Sequence, residues 1–293
     1  MHTKMNNQKK SKSYKEIVNI PENLKKELPA SFDVIGDILL IKLKENIINY
    51  KREIAQALLK NHKNVKTVCL IHPVSGELRI RKIEIIDGEK ITETVHKEYG
   101  LKFLVDIKKA YFSTRLANER KRITELVKDN EIVVDMFTGV APFPIMIAKY
   151  AKPKIIYAFD KNKYAIKYAK ENIKINNVLD KVELICIDAL NIPQYLKEKN
   201  IKIDRIIMNL PFSSFNFFPN ALQIIKNEGV IHYYEILTDE ILDIRTKNLE
   251  EIAKKHGFSL AFNSIRKIKS YSPREFYIGI DITAKIKKDA DVA

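Results

Sequence analysis

Between residues 131 and 211, short apolar runs alternate with longer amphipathic segments. The runs EIVVD, IIYAFD and VELICID each close on an acid, at Asp135, Asp160 and Asp188. A fourth, DRIIMNLPF, closes on Asn209-Leu210-Pro211. Apolar runs of this length read as strands buried on both faces, and stretches such as KNKYAIKYAKENIKI between them read as helices. The alternation predicts a parallel sheet with crossover helices, an α/β fold. Ligands on such sheets bind beyond the carboxyl ends of the strands, near the point where strand order reverses. Four polar residues at four successive strand ends therefore point into one crevice.

The flanking segments carry other patterns. DVIGDILLIKL is strand-like, 44–61 is helical, and strands follow near 65–71, 78–86, 90–97 and 101–106, which makes a compact α+β unit. Residues 114–128 read as a linking helix and about 238–256 as a late helix. Segments 258–268 and 275–284 read as a closing antiparallel pair. The expected organisation is a basic flexible arm at 1–30, a small α+β domain at 31–113 and a Rossmann-like domain at 114–293. The arm reading rests on Lys4, Lys9, Lys10 and Lys12 in a polar context.

The strand ends suggest a ligand. Asp135 precedes Thr138-Gly139-Val140-Ala141-Pro142, a tight turn into a helix whose small residues let a ligand approach the backbone. Asp160 follows 25 residues later (160 − 135), near the place where nucleotide-binding sheets put a ribose-binding acid. Asp188 is placed to accept from an adenine amino group. Neither G-x-G-x-x-G nor G-x-x-x-x-G-K-[ST] occurs, so pyrophosphate is poorly served and an adenosine without phosphate fits better. S-adenosylmethionine is such a ligand. The competing reading is that each acid merely caps the helix after it.

Charge adds a partner. Lys+Arg 52 against Asp+Glu 37 gives a net charge of +15 over 293 residues, and a strongly basic chain is drawn to phosphate backbones. A solvated Lys-rich surface is the alternative source of that excess. Cys69 and Cys186 both sit in apolar runs and read as buried thiols, which suits a cytoplasmic protein. The six His show no ligand spacing, so no metal is expected. No apolar stretch is long enough to span a membrane and no signal peptide is visible, so a soluble protein is expected.

Residues 31–284 resemble the archaeal and eukaryotic type of tRNA (guanine-37 N1)-methyltransferase. The resemblance lies in SFDVIGDILLI (31–41), VSGELRIRKIEII (74–86), TVHKEYGLKFLVDIKKAYFSTRLANERKRI (94–123), DMFTGVAPF (135–143), NLP (209–211), IHYYEI (231–236) and RKIKSYSPREFYIGIDI (266–282), in the family's order. Two departures stand out. Gly139-Val140-Ala141-Pro142-Phe143 replaces the usual Gly-x-Gly-Pro-Phe, and about 30 residues precede Ser31 where members often carry a further domain.

The resemblance implies a mostly parallel methyltransferase sheet preceded by a small tRNA-contacting domain, acting as a monomer. Its cofactor would be S-adenosylmethionine, bound bent beside the first strand. Implied cofactor contacts are Arg120, Asp135, Phe137, Asp160, Lys161, Asp188, Ala189, Asn209 and Pro211. Implied catalytic residues are Glu119 as base, Arg79 opposite the developing oxyanion, Arg115 and Asn209. Tyr111, Phe112 and Arg115 would meet the target guanosine. The residues themselves leave alternatives. Arg115 and Glu119 stand four apart, the spacing of a surface ion pair as well as of a base and its cation. Tyr111 and Phe112 serve base stacking or burial equally. The same family holds wyosine-pathway enzymes: an aminocarboxypropyl transferase that tends to lack the Asn-Leu-Pro loop and Pro-Phe turn, and bifunctional methyltransferases that also methylate a carbon of the tricyclic guanosine.

Overall fold

A computed structural model describes residues 13–75 and 80–287. The chain divides into two compact units, Met1–His96 with Asp106–Lys108 and Lys97–Val105 with Lys109–Ala293. The division thus falls nearer residue 96 than the 113 expected from pattern.

In the first unit, α1 (Tyr14–Ile17) and a 3-10 turn (Glu22–Glu27) lead to β1 (Asp33–Ile35) and β2 (Ile38–Ile41). A second 3-10 turn (Glu45–Tyr50) opens α2 (Lys51–Asn61), and β3 (Thr67–Ser75) and β4 (Ile80–Gly88) complete a four-stranded sheet in sequence order. β2 and β3 run parallel, the other pairs antiparallel. The flexible-arm expectation does not hold for 13–30. Tyr14, Val18, Ile20 and Leu28 are buried in one cluster with Ile47, Ile54 and Leu58. Ser13 and Glu16 form a capping box at α1. Four apolar side chains among many lysines suffice to dock the segment, because burial of each contributes about 1.5–3 kcal/mol. Lys4, Lys9, Lys10 and Lys12 lie outside the described residues. β5 (Glu93–Glu98) and β6 (Leu101–Asp106) form a two-stranded sheet through which the division of the units runs.

The second unit continues with a 3-10 turn (Thr114–Leu116) and α3 (Ala117–Leu126). The alternation expected for 131–236 follows: β7 (Ile132–Asp135), α4 (Pro142–Tyr150), β8 (Ile155–Phe159), α5 (Lys163–Ile175), β9 (Val182–Ile185), α6 (Ile192–Glu198), β10 (Ile203–Met208), α7 (Ser214–Ile224) and β11 (Ile225–Leu237). Then come α8 (Asp239–Lys255) and the closing pair β12 (Phe258–Ser270) and β13 (Phe276–Ile286). The sheet order is β12-β13-β11-β10-β7-β8-β9. Strands β7 to β11 are mutually parallel, while β13 is antiparallel to β11 and β12. Its core includes Val134, Phe159, Ile206, Met208, Phe218, Tyr233 and Ile280.

Two asparagines on the buried face of α5 settle backbone groups that the sheets leave open. Asn172 accepts from Leu104 N at 2.7 Å and donates to Leu104 O at 3.0 Å and Val140 O at 3.1 Å. Asn176 pairs likewise with Lys102, at 3.0 and 2.8 Å. A buried backbone N–H or C=O without a partner destabilises by about 1–3 kcal/mol, so these side chains dock α5 in one register.

Candidate active site

Strand order reverses at β7, which has β8 on one side and β10 on the other. The carboxyl ends beside that point carry the residues expected there: Asp135 ends β7, Asp160 follows β8, and Asn209 follows β10. Asp188 lies three residues beyond β9.

The three acids have different surroundings. Asp135 is 1% exposed, and burial pushes its carboxyl up to about 7. Its Oδ1 accepts from Phe137 N at 3.2 Å. Its Oδ2 and the neighbouring Thr138 Oγ1 are both buried, and a hydrogen bond from the Thr138 side chain opposes the rise. Asp160 accepts from Gly139 N at 2.7 Å and Asn162 N at 2.8 Å, which ties the turn 138–141 to the end of β8. Burial raises its pKa as well, against those two hydrogen bonds. Asp188 accepts from Leu190 N at 3.0 Å and stands 3.5 Å from Lys161 Nζ. It caps the short 3-10 turn Ala189–Asn191, so for this acid the capping reading holds in part.

The turn itself passes through left-handed backbone twice, at Gly139 (φ 56°) and Ala141 (φ 65°). Alanine there is strained by about 1–2 kcal/mol. Its methyl is fully buried, which offsets about 0.8 kcal/mol. Alanine is therefore tolerated where glycine is the freer choice. Three acids around the crevice repel a phosphate, whereas carboxylate oxygens accept hydrogen bonds from hydroxyl groups. A hydroxyl-bearing, phosphate-free nucleoside group fits that lining.

Across the switch point, Asn209 Oδ1 accepts from the Tyr277 hydroxyl on β13. Pro211 O accepts from Ile236 N at 2.9 Å, and Ser214 Oγ donates to Met208 O at 2.9 Å. The Asn-Leu-Pro loop is thus fastened to β10, β11 and β13. Phe137, half-buried, packs edge-on against Phe217 at 5.1 Å.

Glu119 is not a surface ion pair: it is 5% exposed. α3 begins at Ala117, so Arg115 sits in the 3-10 turn that leads into it. Glu119 instead accepts from Arg122 Nη2 at 2.8 Å and Nε at 3.1 Å, from Arg266 Nη1 at 2.8 Å and from the Tyr234 hydroxyl at 2.8 Å. Burial alone would raise its pKa. The hydrogen bonds from Arg122, Arg266 and Tyr234 outweigh it and hold the carboxyl below its ordinary value. Arg122 also grips Asp281, at 2.7 and 3.1 Å. Asp281 in turn meets His232 Nδ1 at 2.6 Å, and His232 Nε2 meets Arg205 Nη1 at 2.7 Å. Since an arginine only donates, Nε2 is the acceptor and the imidazole is neutral with its proton on Nδ1.

Other expectations are corrected. Phe112 is 3% exposed, with the Arg120 guanidinium 5.3 Å above its ring and Phe103 at 5.7 Å, so it presents no stacking face. Arg120, 1% exposed, is held by both carboxylate oxygens of Glu98 and by Ser113 O, which turns it away from the cofactor role. Tyr111 is half-buried and Arg115 exposed. Cys69 is buried, and burial pushes its thiol up to about 11, whereas Cys186 is exposed beyond the end of β9. Arg79 lies outside the described residues. Sequence reasoning missed Arg122, Tyr234 and Arg266 as partners of Glu119, and Asp281 as the second carboxylate held by the two arginines. The linear signal of Arg122 is its i,i+3 spacing from Glu119 on one helix; that of Tyr234 and Asp281 is a polar side chain at an alternate position of an apolar strand, as in IHYYEI and IGIDI. Among the described residues, no group of three or more His, Cys, Asp or Glu is placed to hold a metal, and no helix is long and apolar enough to cross a membrane.

The strand order and the acid-lined, phosphate-free crevice define an open-sheet methyltransferase domain of Rossmann type. Residues 94–261 match the TRM5/TYW2 methyltransferase domain and residues 14–92 the TYW2 N-terminal domain. The chain belongs to the TRM5/TYW2 methyltransferase family. It is 41% identical over 271 residues to the tRNA (guanine(37)-N(1))-methyltransferase Trm5b of Pyrococcus abyssi, covering 92% of this chain and 79% of that one. It is 36% identical over 251 residues to the tRNA(Phe) (4-demethylwyosine(37)-C(7)) aminocarboxypropyltransferase of Methanocaldococcus jannaschii, covering 85% and 96%. Among solved structures, a complex of aTrm5 with tRNALeu superposes with TM-score 0.79 at 36% identity, over 94% of this chain and 78% of that one. TYW2 of M. jannaschii in complex with AdoMet superposes with TM-score 0.66 at 30% identity, over 88% and 100%.

Proposed function

We propose that this chain transfers the methyl group of S-adenosylmethionine to N1 of guanosine-37 in tRNA. The observation that carries the reading is the crevice at the switch point: Asp135, Asp160 and Asp188 without a phosphate loop, next to an Asn-Leu-Pro loop fastened by Tyr277. The relatives named for N1 methylation support it. Asp160 is the acceptor for ribose hydroxyls, Asp135 and Thr138 line the floor, and Asp188 with Lys161 borders the base. The bound cofactor supplies an electrophilic methyl. Guanine N1 carries a proton and is a poor nucleophile, so the step needs a base at N1 and a positive group near O6. Glu119 is ionised and takes the first role once one of its donors releases an oxygen. Arg79 and Arg115 are assigned to the second. The net charge of +15 draws the tRNA backbone.

A second reading has its own support, since residues 14–92 match the TYW2 N-terminal domain and an aminocarboxypropyl transferase is a 36% identical relative. The Asn209-Leu210-Pro211 loop and the Pro142-Phe143 turn weigh toward methyl transfer. Two transcripts test the choice, one with guanosine at position 37 and one bearing the tricyclic intermediate. Each is incubated with cofactor labelled in its methyl or in its carboxyl carbon, and the nucleosides are analysed by mass. Methyl label in 1-methylguanosine is the expected result. Methyl label in the tricycle as well makes the enzyme bifunctional, and carboxyl label in either product overturns the reading.

A further inference from the structure

Glu119, Arg122, Asp281 and Arg266 form a closed ring of alternating charge. Arg122 bonds both carboxylates, and Arg266 does the same from the other side: Nη1 to Glu119 at 2.8 Å, Nη2 to Asp281 oxygens at 3.3 and 3.5 Å. The ring joins α3, β12 and β13, elements far apart in the chain. Three features aim Arg266 into it. β12 carries register shifts at 262–264 and 267–269, one on each side of Arg266, and bulges of this kind re-aim side chains. Ser264 Oγ accepts from Arg266 Nε at 3.0 Å. Directly across the ladder stands Gly279, itself opposite Tyr234 on β11. A Cβ on Gly279 would come 3.3 Å from Arg266 Nη2, 3.2 Å from Tyr234 Cε1 and 2.9 Å from Ile268 Cδ1. A side chain there would press on both the guanidinium and the phenol ring.

We propose that Arg266 is a positioning residue for methyl transfer: it fixes the Glu119 carboxylate at rest and hands over the bond to Oε2 when Glu119 takes the proton of guanine N1. The proposal rests on the methyl-transfer reading above, with Glu119 as base. As N1–CH3 forms and the donor's S–CH3 bond breaks, the N1 proton passes to Glu119 Oε2. Arg266 stays protonated and turns toward Asp281, whose oxygens it already faces. Of the donors to Oε2, Arg266 is the one able to let go, because it holds Glu119 by one bond whereas Arg122, on the same helix, holds it by two; Tyr234 bonds the other oxygen, Oε1. The groups facing Glu119 are Arg122 from α3, Tyr234 from β11 and Arg266 from β12. Asp281 of β13 and His232 of β11 lie behind the two arginines. From α4, the uncharged ring of Phe143 lies 6.3 Å from that of Tyr234.

Removing Arg266 takes away one of the bonds that favour the ionised carboxylate, so the acid limb of the pH–rate profile moves to higher pH. The experiment measures single-turnover methyl transfer against pH for the wild type, Arg266→Gln, Arg266→Lys, Gly279→Ala and Glu119→Gln. The Glu119 carboxyl is titrated in parallel by 13C NMR. Arg266→Gln is expected to raise both midpoints by about one to three pH units. Lysine restores the charge and returns the midpoint most of the way. Gly279→Ala, which crowds the guanidinium by a few tenths of an ångström without removing it, shifts both midpoints in the same direction by a smaller amount and supplies the measurement should Arg266→Gln fail to fold. Unchanged midpoints, or a carboxyl titration that moves while the rate profile does not, overturn the proposal. A wild-type rate in Glu119→Gln instead overturns the reading beneath it, a distinct result.

Discussion

Replacing Glu119 with glutamine removes a negative charge from between two guanidinium groups in a site that is 5% exposed. The amide keeps the shape and one acceptor, but its NH2 now faces an arginine or the Tyr234 hydroxyl, and Asp281 alone must balance Arg122 and Arg266. Removing one member of a buried ion pair destabilises by about 3–5 kcal/mol. The arginine side chains are 27% exposed, so water relieves part of this and about 2–3 kcal/mol is the expected loss. For a domain of this size that lowers the melting midpoint by roughly 5–10 °C. The catalytic effect is separate. An amide does not accept the N1 proton, so the single-turnover rate falls by about 10²–10⁴-fold. More substrate does not rescue it, because the missing interaction belongs to the transition state. The assay is methyl transfer at saturating tRNA and cofactor, run well below the variant's own midpoint, beside cofactor binding by equilibrium dialysis. A destabilised variant with a wild-type rate constant would refute the role of base and leave Glu119 a structural anion.

Asp160→Ala is expected to weaken cofactor binding by about 1–3 kcal/mol and leave tRNA affinity nearly unchanged, since it removes the proposed ribose acceptor and the anchor of the Gly139 N–H. Unchanged affinity in dialysis rejects the assignment. His232 is buried and its pKa is lowered by that burial, opposed by Asp281. The unfolded imidazole takes a proton near pH 6.5 and the folded one does not, so its contribution is complete above that pH and falls as pH drops, by at most about 1.4 kcal/mol per unit. Asp135, raised to about 7, acts in the opposite sense. The clean measurement is therefore the stability gap between wild type and His232→Gln, which should narrow from pH 7 to pH 5; a constant gap rejects it. Ala141→Gly relieves left-handed strain but loses a buried methyl and loosens the unfolded chain. It should change stability by less than about 1 kcal/mol in thermal melts, and a shift of several kcal/mol would show that the balance is misjudged. tRNA affinity should fall steeply with salt, as the charge of +15 requires, and a salt-independent constant contradicts it.

The strand ends were legible in the linear chain because parallel strands impose a rule: an apolar run places its last residue at the carboxyl edge. Asp135, Asp160 and Asn209 follow that rule, and the alternation of runs with amphipathic helices sufficed for the α/β fold. Asp188 departs from it by three residues and takes up helix capping. The docked segment 13–30 was hidden by lysines around four apolar side chains. For Glu119 the chain offered Arg115 at four residues' distance and Arg122 at three, and the bond to Arg122 forms. Its other partners stand 115 residues away at Tyr234 and 147 away at Arg266, with Asp281 159 residues from Arg122. Phe112, and Arg120 next to Glu119 in the chain, face inward toward Phe103 and Glu98. Periodicity determines which face of an element is buried. Which charges meet on that face depends on the pairing of β11, β13 and β12 and on the space left at Gly279, and only the tertiary structure decides those.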